Sequence, residues 1–230
     1  MPDSRARILA SIRNSLASSR HLPVAPSVTL SPPALGHLPL DTLAAQFAGE
    51  LQKLGGTFLA ERAAQVPARV AQLLRERQAA RLLAWDQAHL PVPGMLDYLG
   101  REGFTTVDAS LPAQEPARSQ LLAEIETVTV GLTGADAALA DTGTLALRTG
   151  PGRPRLASLS VRTHIALFTP DQLHASWAAW WASQSGLVGW VSEASNITLI
   201  SGPSRTADIE MTLTVGVHGP GELVAILVQG

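Results

Sequence analysis

The sequence predicts an α/β domain in which a mostly parallel sheet is covered by helices on both faces. Short apolar segments alternate with helical patterns along most of the chain, which is the order typical of βαβ units. The chain has 230 residues, of which 46% are hydrophobic. That length and composition are enough for a substantial core within one domain.

The first 39 residues are predicted to lie outside this domain. Residues 1–17 form an amphipathic helix, because Ile8, Ile12 and Leu16 recur at a spacing of four residues. Five prolines disfavour regular structure in residues 18–39 and indicate a linker. The predicted domain therefore covers residues 40–230, and the helix is expected to pack on this domain, on a second copy of the chain or on a partner.

The elements of the domain follow from apolar periodicity and from the glycines and prolines that separate them. Gly55-Gly56, for example, ends the first helix before an apolar strand. The predicted helices are residues 41–54, 67–78, 94–102 and 116–123. The predicted strands are residues 57–60, 81–85, 105–107, 127–132, 145–148, 165–168, 197–200 and 224–228.

A further helix is predicted to begin after residue 169. The run Thr169-Pro170-Asp171-Gln172 supplies an N-cap, a proline at the first helical position and a glutamine three residues after the cap. Trp177, Trp180 and Trp181 then share one stripe with Leu173. The stripe is interpreted either as the core-facing side of the helix or as an aromatic lid over a flat ligand.

The charge and hydropathy of the chain exclude several classes of partner. The formal net charge is −2, so no overall positive field attracts nucleic acid or acidic lipid. The sequence contains no apolar run of the roughly 20 residues that a membrane span needs, and its start lacks the pattern of a secretory signal. These features predict a cytoplasmic protein that binds neither nucleic acid nor membrane.

The chain contains no cysteine and six histidines. Iron–sulfur clusters are held mainly by thiolates, and structural zinc commonly is too. The histidines show none of the HxH, HxxxH or HExxH spacings of metal sites. We therefore expect this chain to bind no metal or cluster cofactor by itself.

The densest group of polar residues follows the predicted strand 197–200. It combines small residues, hydroxyls, a guanidinium and carboxylates: Ser201, Gly202, Ser204, Arg205, Asp208 and Glu210. A strand that opens into a glycine turn and a polar helix start would place these groups at the carboxyl edge of a sheet, where α/β proteins bind ligands. The alternative interpretation is a strand-to-helix turn with Ser204 or Thr206 as the N-cap.

A second polar segment also places glycines beside hydroxyls and carboxylates: Thr133, Gly134, Asp136, Asp141, Thr142, Gly143 and Thr144. Glycine permits a close backbone approach, and the threonines offer hydroxyl and N–H donors that suit an anionic group. Asp141 would orient that group, or it caps a turn through its own backbone.

Other signatures of known chemistry are absent. Gly150-Pro151-Gly152-Arg153 begins like a dinucleotide-binding loop, but prolines stand where its helix should start. Neither a P-loop nor a hydrolase nucleophile elbow is present. Arg153 and Arg155, exposed by their proline neighbours, are interpreted either as a bidentate clamp for carboxylate or phosphate or as solvated loop residues.

Together these segments resemble the LUD-domain family, and within it the lactate-utilisation protein C branch. The resemblance covers residues 124–230 and rests on five elements: Ala140 to Thr144, Gly150 to Arg153, His164, Ser201 to Glu210, and His218-Gly219-Pro220. It implies a three-layer αβα fold like that of sugar-phosphate isomerases and CoA transferases. It also implies a part in oxidising lactate to pyruvate, with the iron–sulfur clusters on partner subunits.

The resulting functional hypothesis is a component of a lactate-utilisation system whose pocket, formed by residues 133–144 and 201–210, binds a small anionic ligand. By analogy with the isomerases and transferases, the candidates for proton transfer or acyl attack are Asp141, Asp208, Glu210 and His218. Two alternatives stay open: a stand-alone enzyme acting on a phosphorylated or acyl-activated metabolite, and a structural or regulatory subunit. The sequence also leaves self-association open.

Overall fold

The computed structural model describes residues 4–18, 38–183, 194–207 and 213–230. The chain forms two compact units, Met1–Pro33 and Ala34–Gly230. In the first unit a single helix is described, α1 (Ser4–Ser18), and its apolar residues Ile8, Ile12 and Leu16 are exposed.

The second unit alternates strands and helices along its length, as the sequence predicts. Its helices are α2 (Leu40–Lys53), α3 (Val66–Glu76), α4 (Met95–Arg101), α5 (Ala117–Glu126), α6 (Leu156–Leu159) and α7 (Trp177–Ser183). Its first strands are β1 (Thr57–Arg62), β2 (Arg81–Ala84), β3 (Thr105–Val107), β4 (Val130–Gly134), β5 (Ala137–Leu139) and β6 (Thr144–Thr149). The later strands are β7 (Thr163–Phe168), β8 (Leu173–His174), β9 (Asn196–Ile200), β10 (Arg205–Ala207), β11 (Leu213–Val215) and β12 (Glu222–Gln229).

Six strands form a parallel sheet in the order β1-β12-β7-β4-β2-β3. Strands β4 and β7 are buried along their whole length, as expected for central parallel strands that are covered on both faces. The helices complete a three-layer α/β fold. Helix α3 shows why they do so: Val70, Leu73 and Leu74 lie on one side of it and are buried in the core.

The chain changes direction in this sheet at β2 and β4. After β2 it continues to β3 at one edge, whereas after β4 it continues to β7 on the opposite side. Parallel α/β sheets leave a crevice at such a point, outside the carboxyl ends of the two strands, and ligands commonly bind there.

Four short strands form a second sheet in the order β8-β5-β6-β9. The strands predicted at residues 145–148 and 197–200 belong to this sheet and pair antiparallel with each other, so their expected place in the main sheet is wrong. A small core of Ala137, Leu139, Ala146 and Trp180 lies on one face of this sheet. This cluster is separate from the main hydrophobic core.

The helix predicted after residue 169 is interrupted. Gln172 Oε1 accepts a hydrogen bond from the Thr169 N–H at 2.8 Å, but residues 170–172 make only a 3₁₀ turn before β8. Helix α7 begins at Trp177, and Trp180 is buried while Trp177 and Trp181 are 37% and 40% exposed. The core-facing interpretation therefore holds for one tryptophan of the three. None of the helices in the described residues is long and apolar enough to cross a bilayer.

Candidate functional site

The crevice between the carboxyl ends of β2 and β4 contains a tight turn that presents an arginine. Arg153 N–H donates to Gly150 O at 3.0 Å, and Gly152 between them has a φ of +70°. Proline followed by a left-handed glycine is the combination that such a turn requires. Gly152 O accepts a hydrogen bond from the Asp86 N–H at 2.8 Å, which ties the turn to the end of β2.

Asp136, two residues after β4, orients two arginines. Its carboxylate accepts hydrogen bonds from the Arg148 backbone N–H at 2.7 Å and from Arg148 Nε at 2.8 Å. Arg153 Nη1 lies 3.3 Å from the same carboxylate. Asp136 is 11% exposed and both arginines are 18% exposed. This ion pair is largely shielded from water and fixes where the Arg153 guanidinium lies.

The Arg153 guanidinium forms one wall of a cleft of about 260 Å³, here called the inner cleft, together with Trp85, His89, Asp136 and Gln172. Its carbon Cζ lies 5.9 Å from the centre of the Trp85 ring, a cation–π distance. Arg153 Nε and Trp85 Nε1 are buried and have no hydrogen-bond partner in the described part of the chain. Two buried donors without acceptors, on residues that line the same cleft, favour a ligand that carries acceptor oxygens, such as a carboxylate or phosphate.

A second cleft of about 560 Å³, here called the outer cleft, lies at the carboxyl ends of β2 and β3 and shares Trp85 with the inner one. Its polar side chains are Asp86, Thr106, Asp108 and Ser110. The Ser110 N–H donates to Asp108 Oδ1 at 2.8 Å. The hydrogen bonds from Ser110 lower the pKa of Asp108, so this carboxyl is a negatively charged acceptor at neutral pH.

Of the predicted site residues, Gly134 and Asp136 line the inner cleft, whereas Thr133 has a buried partner instead. Thr133 Oγ1 lies 2.8 Å from His164 Nε2, and both residues are fully buried. Gly134 is needed because a Cβ atom there would lie 2.4 Å from His89 O. The absence of a side chain lets the loop after β2 cross the end of β4.

The predicted segment 141–144 forms the turn between β5 and β6, which packs against α2. Gly143 has a φ of +59°, and a Cβ atom there would lie 2.5 Å from the Leu51 backbone N. Asp141 and Thr142 are exposed on the turn, and Thr142 Oγ1 donates to Asp141 Oδ1 at 3.2 Å. Thr144 Oγ1 lies 2.7 Å from Ser201 Oγ, so the two predicted segments do meet at this point.

Residues 201–207, the described part of the predicted segment 201–210, do not begin a helix and do not lie at the carboxyl edge of the main sheet. Residues 205–207 are β10, which pairs antiparallel with β11. Ser204 N–H donates to Pro220 O at 2.8 Å, and Arg205 Nη2 donates to Leu54 O at 2.5 Å. Because these acceptors precede β12 and β1, the segment lies at the amino edge of the main sheet. Gly202, with a φ of +89°, packs against Leu54 at the same place.

Asp208 and Glu210 lie outside the described residues. His218 lies at the amino edge, where it lines a cavity of about 660 Å³ with Ser160 and Arg162 before β7. The described candidate residues therefore fall in three places: the crevice between β2 and β4, the contact with α2, and the amino edge. The described candidates in residues 133–144 and 201–210 do not line one common pocket, because the chain returns to opposite edges of the sheet.

Trp85, Asp86, His89 and Asp108 were not among the residues singled out from the sequence. The signal was present in part, since polar residues directly follow the predicted strands 81–85 and 105–107. Within the described residues, no group of three or more His, Cys, Asp and Glu side chains is arranged to hold a metal ion.

The fold and the crevice define a three-layer α/β protein with a candidate small-molecule site at the switch point of its parallel sheet. The chain belongs to the LUD domain family, whose model matches residues 44–228. It is 36% identical over 151 residues to lactate utilization protein C of Shouchella clausii, covering 66% of this chain and 63% of that protein. The matched part thus spans less than two thirds of that relative.

Lactate utilization protein C of Deinococcus radiodurans is 28% identical over 228 residues, covering 98% of this chain and 96% of that protein. A crystal structure of a DUF162 family protein from Deinococcus radiodurans superposes with a TM-score of 0.59 at 21% identity, covering 83% of this chain and 99% of that one. This similarity supports the fold.

Proposed function

We propose that this protein is a component of a lactate-utilisation system that oxidises L-lactate to pyruvate. The observation that carries the proposal is the similarity to proteins named lactate utilization protein C, which in one case extends over 98% of this chain. Membership of the LUD domain family over residues 44–228 agrees with it.

Within such a system the inner cleft is the proposed binding site for a small anion. Arg153 and Trp85 supply the donors, and Asp136 holds the guanidinium in place. A carboxylate is an acceptor with two oxygens, which the planar fork of an arginine matches. The chain would bind and orient the anion beside an ion pair that is largely shielded from water.

Oxidation of lactate to pyruvate releases two electrons and two protons. Because the chain has no cysteine, the electrons are proposed to pass to iron–sulfur clusters held by partner subunits. Co-purification tests this part: the tagged chain from lactate-grown cells should retain subunits that contain iron, and the chain expressed alone should retain none. A tagged chain from lactate-grown cells that brings down no iron-containing subunit would contradict it.

Growth on lactate tests the role itself. A strain that lacks this protein should grow normally on glucose and poorly on L-lactate, and the wild-type gene should restore growth. Arg153→Gln should restore it poorly, because the anion loses its charged donor. Arg101→Gln is the matched control, since Arg101 is exposed on α4 and lies outside both clefts. Normal growth of the deletion strain on L-lactate would refute the proposal.

The second candidate is a stand-alone enzyme of the isomerase or CoA-transferase type that acts on a phosphorylated or acyl-activated metabolite. The outer cleft favours it, because Asp86 and Asp108 stand at the carboxyl edge where a general base or nucleophile is needed. Turnover of such a metabolite by the isolated chain would support this candidate over a subunit that works only with partners.

A further inference from the structure

The inner cleft contains one polar side chain that the proposed anion site does not use, the imidazole of His89. His89 is partly buried and lines the cleft together with Asp136 and Arg153. Neither nitrogen of its ring has a hydrogen-bond or ion-pair partner in the described part of the chain. A neutral imidazole carries one donor and one acceptor, so this ring can bond a ligand group of either kind.

The short 3₁₀ turn that carries His89 is fixed by hydrogen bonds on both sides. The His89 N–H donates to Asp86 O at 2.8 Å. The side chain of Gln87 donates to Val92 O at 2.9 Å and accepts from the Leu96 N–H at 3.0 Å. These bonds tie the turn to the end of β2 on one side and to the start of α4 on the other.

Two glycines let neighbouring segments come close to His89. A Cβ atom on Gly134 would lie 2.4 Å from His89 O, and one on Gly152 would lie 2.9 Å from Cδ2 of the imidazole. The first contact holds the turn against the end of β4, and the second places the ring beside the residue that precedes Arg153. The position of the ring is therefore closely defined, although its nitrogens bond nothing in the described residues. Preorganisation of this kind is what a binding site requires.

The other polar side chains of the inner cleft cannot offer both a donor and an acceptor. Gln172 bonds the chain through both ends of its amide, since Nε2 donates to Ala135 O at 2.6 Å and Oε1 accepts a backbone N–H at 2.8 Å. The Asp136 carboxylate accepts from two arginines, and Trp85 has a donor only. Among the described residues that line the cleft, His89 is the one that offers both without giving up an existing bond.

The size and the walls of the inner cleft indicate a short ligand. Its volume of about 260 Å³ lies below the range of about 300–1,000 Å³ that is typical of sites for larger organic ligands. Its nonpolar walls are Ala88, Leu90, Pro91 and Ala135. Such walls suit a methyl or short alkyl group and disfavour a second charge. In so small a cleft, a ligand whose carboxylate lies at Arg153 has its next carbon close to the remaining walls, which include His89.

We propose that His89 determines the specificity of the inner cleft by hydrogen-bonding the 2-hydroxyl of a short-chain 2-hydroxy acid. The carboxylate of that acid lies at Arg153, and this end of the ligand rests on the proposed function. A hydroxyl both donates and accepts, as the imidazole does, whereas an unsubstituted acid of the same length leaves the ring without a partner. The cleft therefore selects hydroxy acids over unsubstituted acids. The proposal concerns binding and assigns no step of the oxidation to His89.

An NMR titration of the full chain tests the proposal with L-lactate and propionate, which differ only in the 2-hydroxyl. Shifts of the backbone amide signals give the Kd of each acid. L-Lactate should bind about tenfold more tightly than propionate, because propionate cannot form the hydrogen bond to the imidazole.

Three variants separate a role in specificity from a role in folding. His89→Leu should remove the preference for L-lactate and leave the Kd of propionate nearly unchanged, because Arg153 is retained. His89→Gln keeps a donor and an acceptor and should restore part of the preference, which a merely structural ring would not do. Gln120→Leu, a polar-to-apolar change at an exposed position of α5 outside the cleft, is the control and should behave as wild type.

Several results would overturn the proposal. Equal binding of L-lactate and propionate by the wild-type chain would do so and would leave the anion site at Arg153 standing. No binding of either acid would contradict both the specificity and the anion site. An equal loss of both acids in His89→Leu would assign the ring a structural role. The proposed function fails on a different measurement: normal growth of the deletion strain on L-lactate would refute it even if the preference for L-lactate is intact.

Discussion

His164 should make the free energy of unfolding decrease as the pH falls below the ordinary pKa of histidine. The residue is fully buried in β7. Its Nε2 lies 2.8 Å from Thr133 Oγ1, and its Nδ1 has no hydrogen-bond partner among the described residues. Burial lowers the pKa of His164 from 6.5 to about 3, because a charged imidazole would lose its hydration without gaining a counterion.

The sign of the effect follows from which state binds the proton. Above pH 6.5 the imidazole is neutral in both the folded and the unfolded chain, and it contributes no pH dependence. As the pH falls from 6.5 toward 3, the unfolded chain takes up a proton that the folded chain does not, and the free energy of unfolding decreases. Between pH 7 and pH 5 the loss from this single group amounts to about 2 kcal/mol.

Urea denaturation at pH 7 and pH 5 measures this loss when wild type is compared with His164→Gln. Glutamine does not titrate and can still hydrogen-bond Thr133, so the other titrating groups cancel in the comparison. Wild type should lose about 2 kcal/mol more than the variant between the two pH values. His218→Gln, the replacement of an exposed histidine, controls for the loss of a histidine as such.

Equal losses in wild type and His164→Gln would refute the reasoning. An NMR titration of the His164 ring in the wild-type protein gives the same answer if the variant does not fold. The ring should stay neutral down to pH 5, and a midpoint near 6.5 would show that the buried environment does not disfavour the charged form.

Four further outcomes are expected. Arg205→Ala should lower the free energy of unfolding by about 0.5–1.5 kcal/mol in urea, since the guanidinium bonds Leu54 O at the end of α2; loss of growth on lactate without loss of stability would contradict this. Gly143→Ala should cost about 1–3 kcal/mol in the same assay, because its Cβ would lie 2.5 Å from Leu51 N, and an unchanged midpoint would count against the close contact. The chain purified alone should contain no stoichiometric iron or zinc by elemental analysis, as it has no cysteine; one equivalent of either metal would prove the expectation wrong. Deleting residues 1–38 should leave cooperative unfolding intact but weaken self-association or docking, measured by denaturation and sedimentation, and loss of cooperativity would assign the helix to the core.

Apolar runs were sufficient to predict the strands of the main sheet. Residues 105–107, for example, are predicted and observed as the same strand. A glycine at position 103 precedes this segment, and the polar Asp108 follows it. The second sheet was harder to predict. Residues 137–139 are small and alanine-rich, and they form a strand only because β6 and β8 pair with them. Pairing of this kind depends on tertiary contacts that local patterns do not contain.

The same limit explains why the helix predicted after residue 202 is not observed. The sequence around Ser204 and Arg205 predicts a helix start. In the structure Arg205 instead donates a hydrogen bond to a carbonyl at the end of α2, and residues 205–207 pair with β11. Arg153 was recognised as a candidate anion clamp from its proline neighbours. The partners of Arg153 could not be predicted, because Trp85 and Asp136 approach it only through the strand order around β2 and β4.

Two of the five segments that carry the family resemblance, Ala140 to Thr144 and Ser201 to Glu210, have described residues that pack against the end of α2. Gly143 packs on Leu51, Gly202 packs on Leu54, and Arg205 bonds the carbonyl of that same Leu54. The polar, glycine-rich sequence at these positions serves close packing, whereas the side chains of the proposed anion site lie in the crevice at β2 and β4. Substitutions of Gly143, Gly202 or Arg205 should therefore lower stability in proportion to any loss of function, and substitution of Arg153 should lower anion binding while the fold persists.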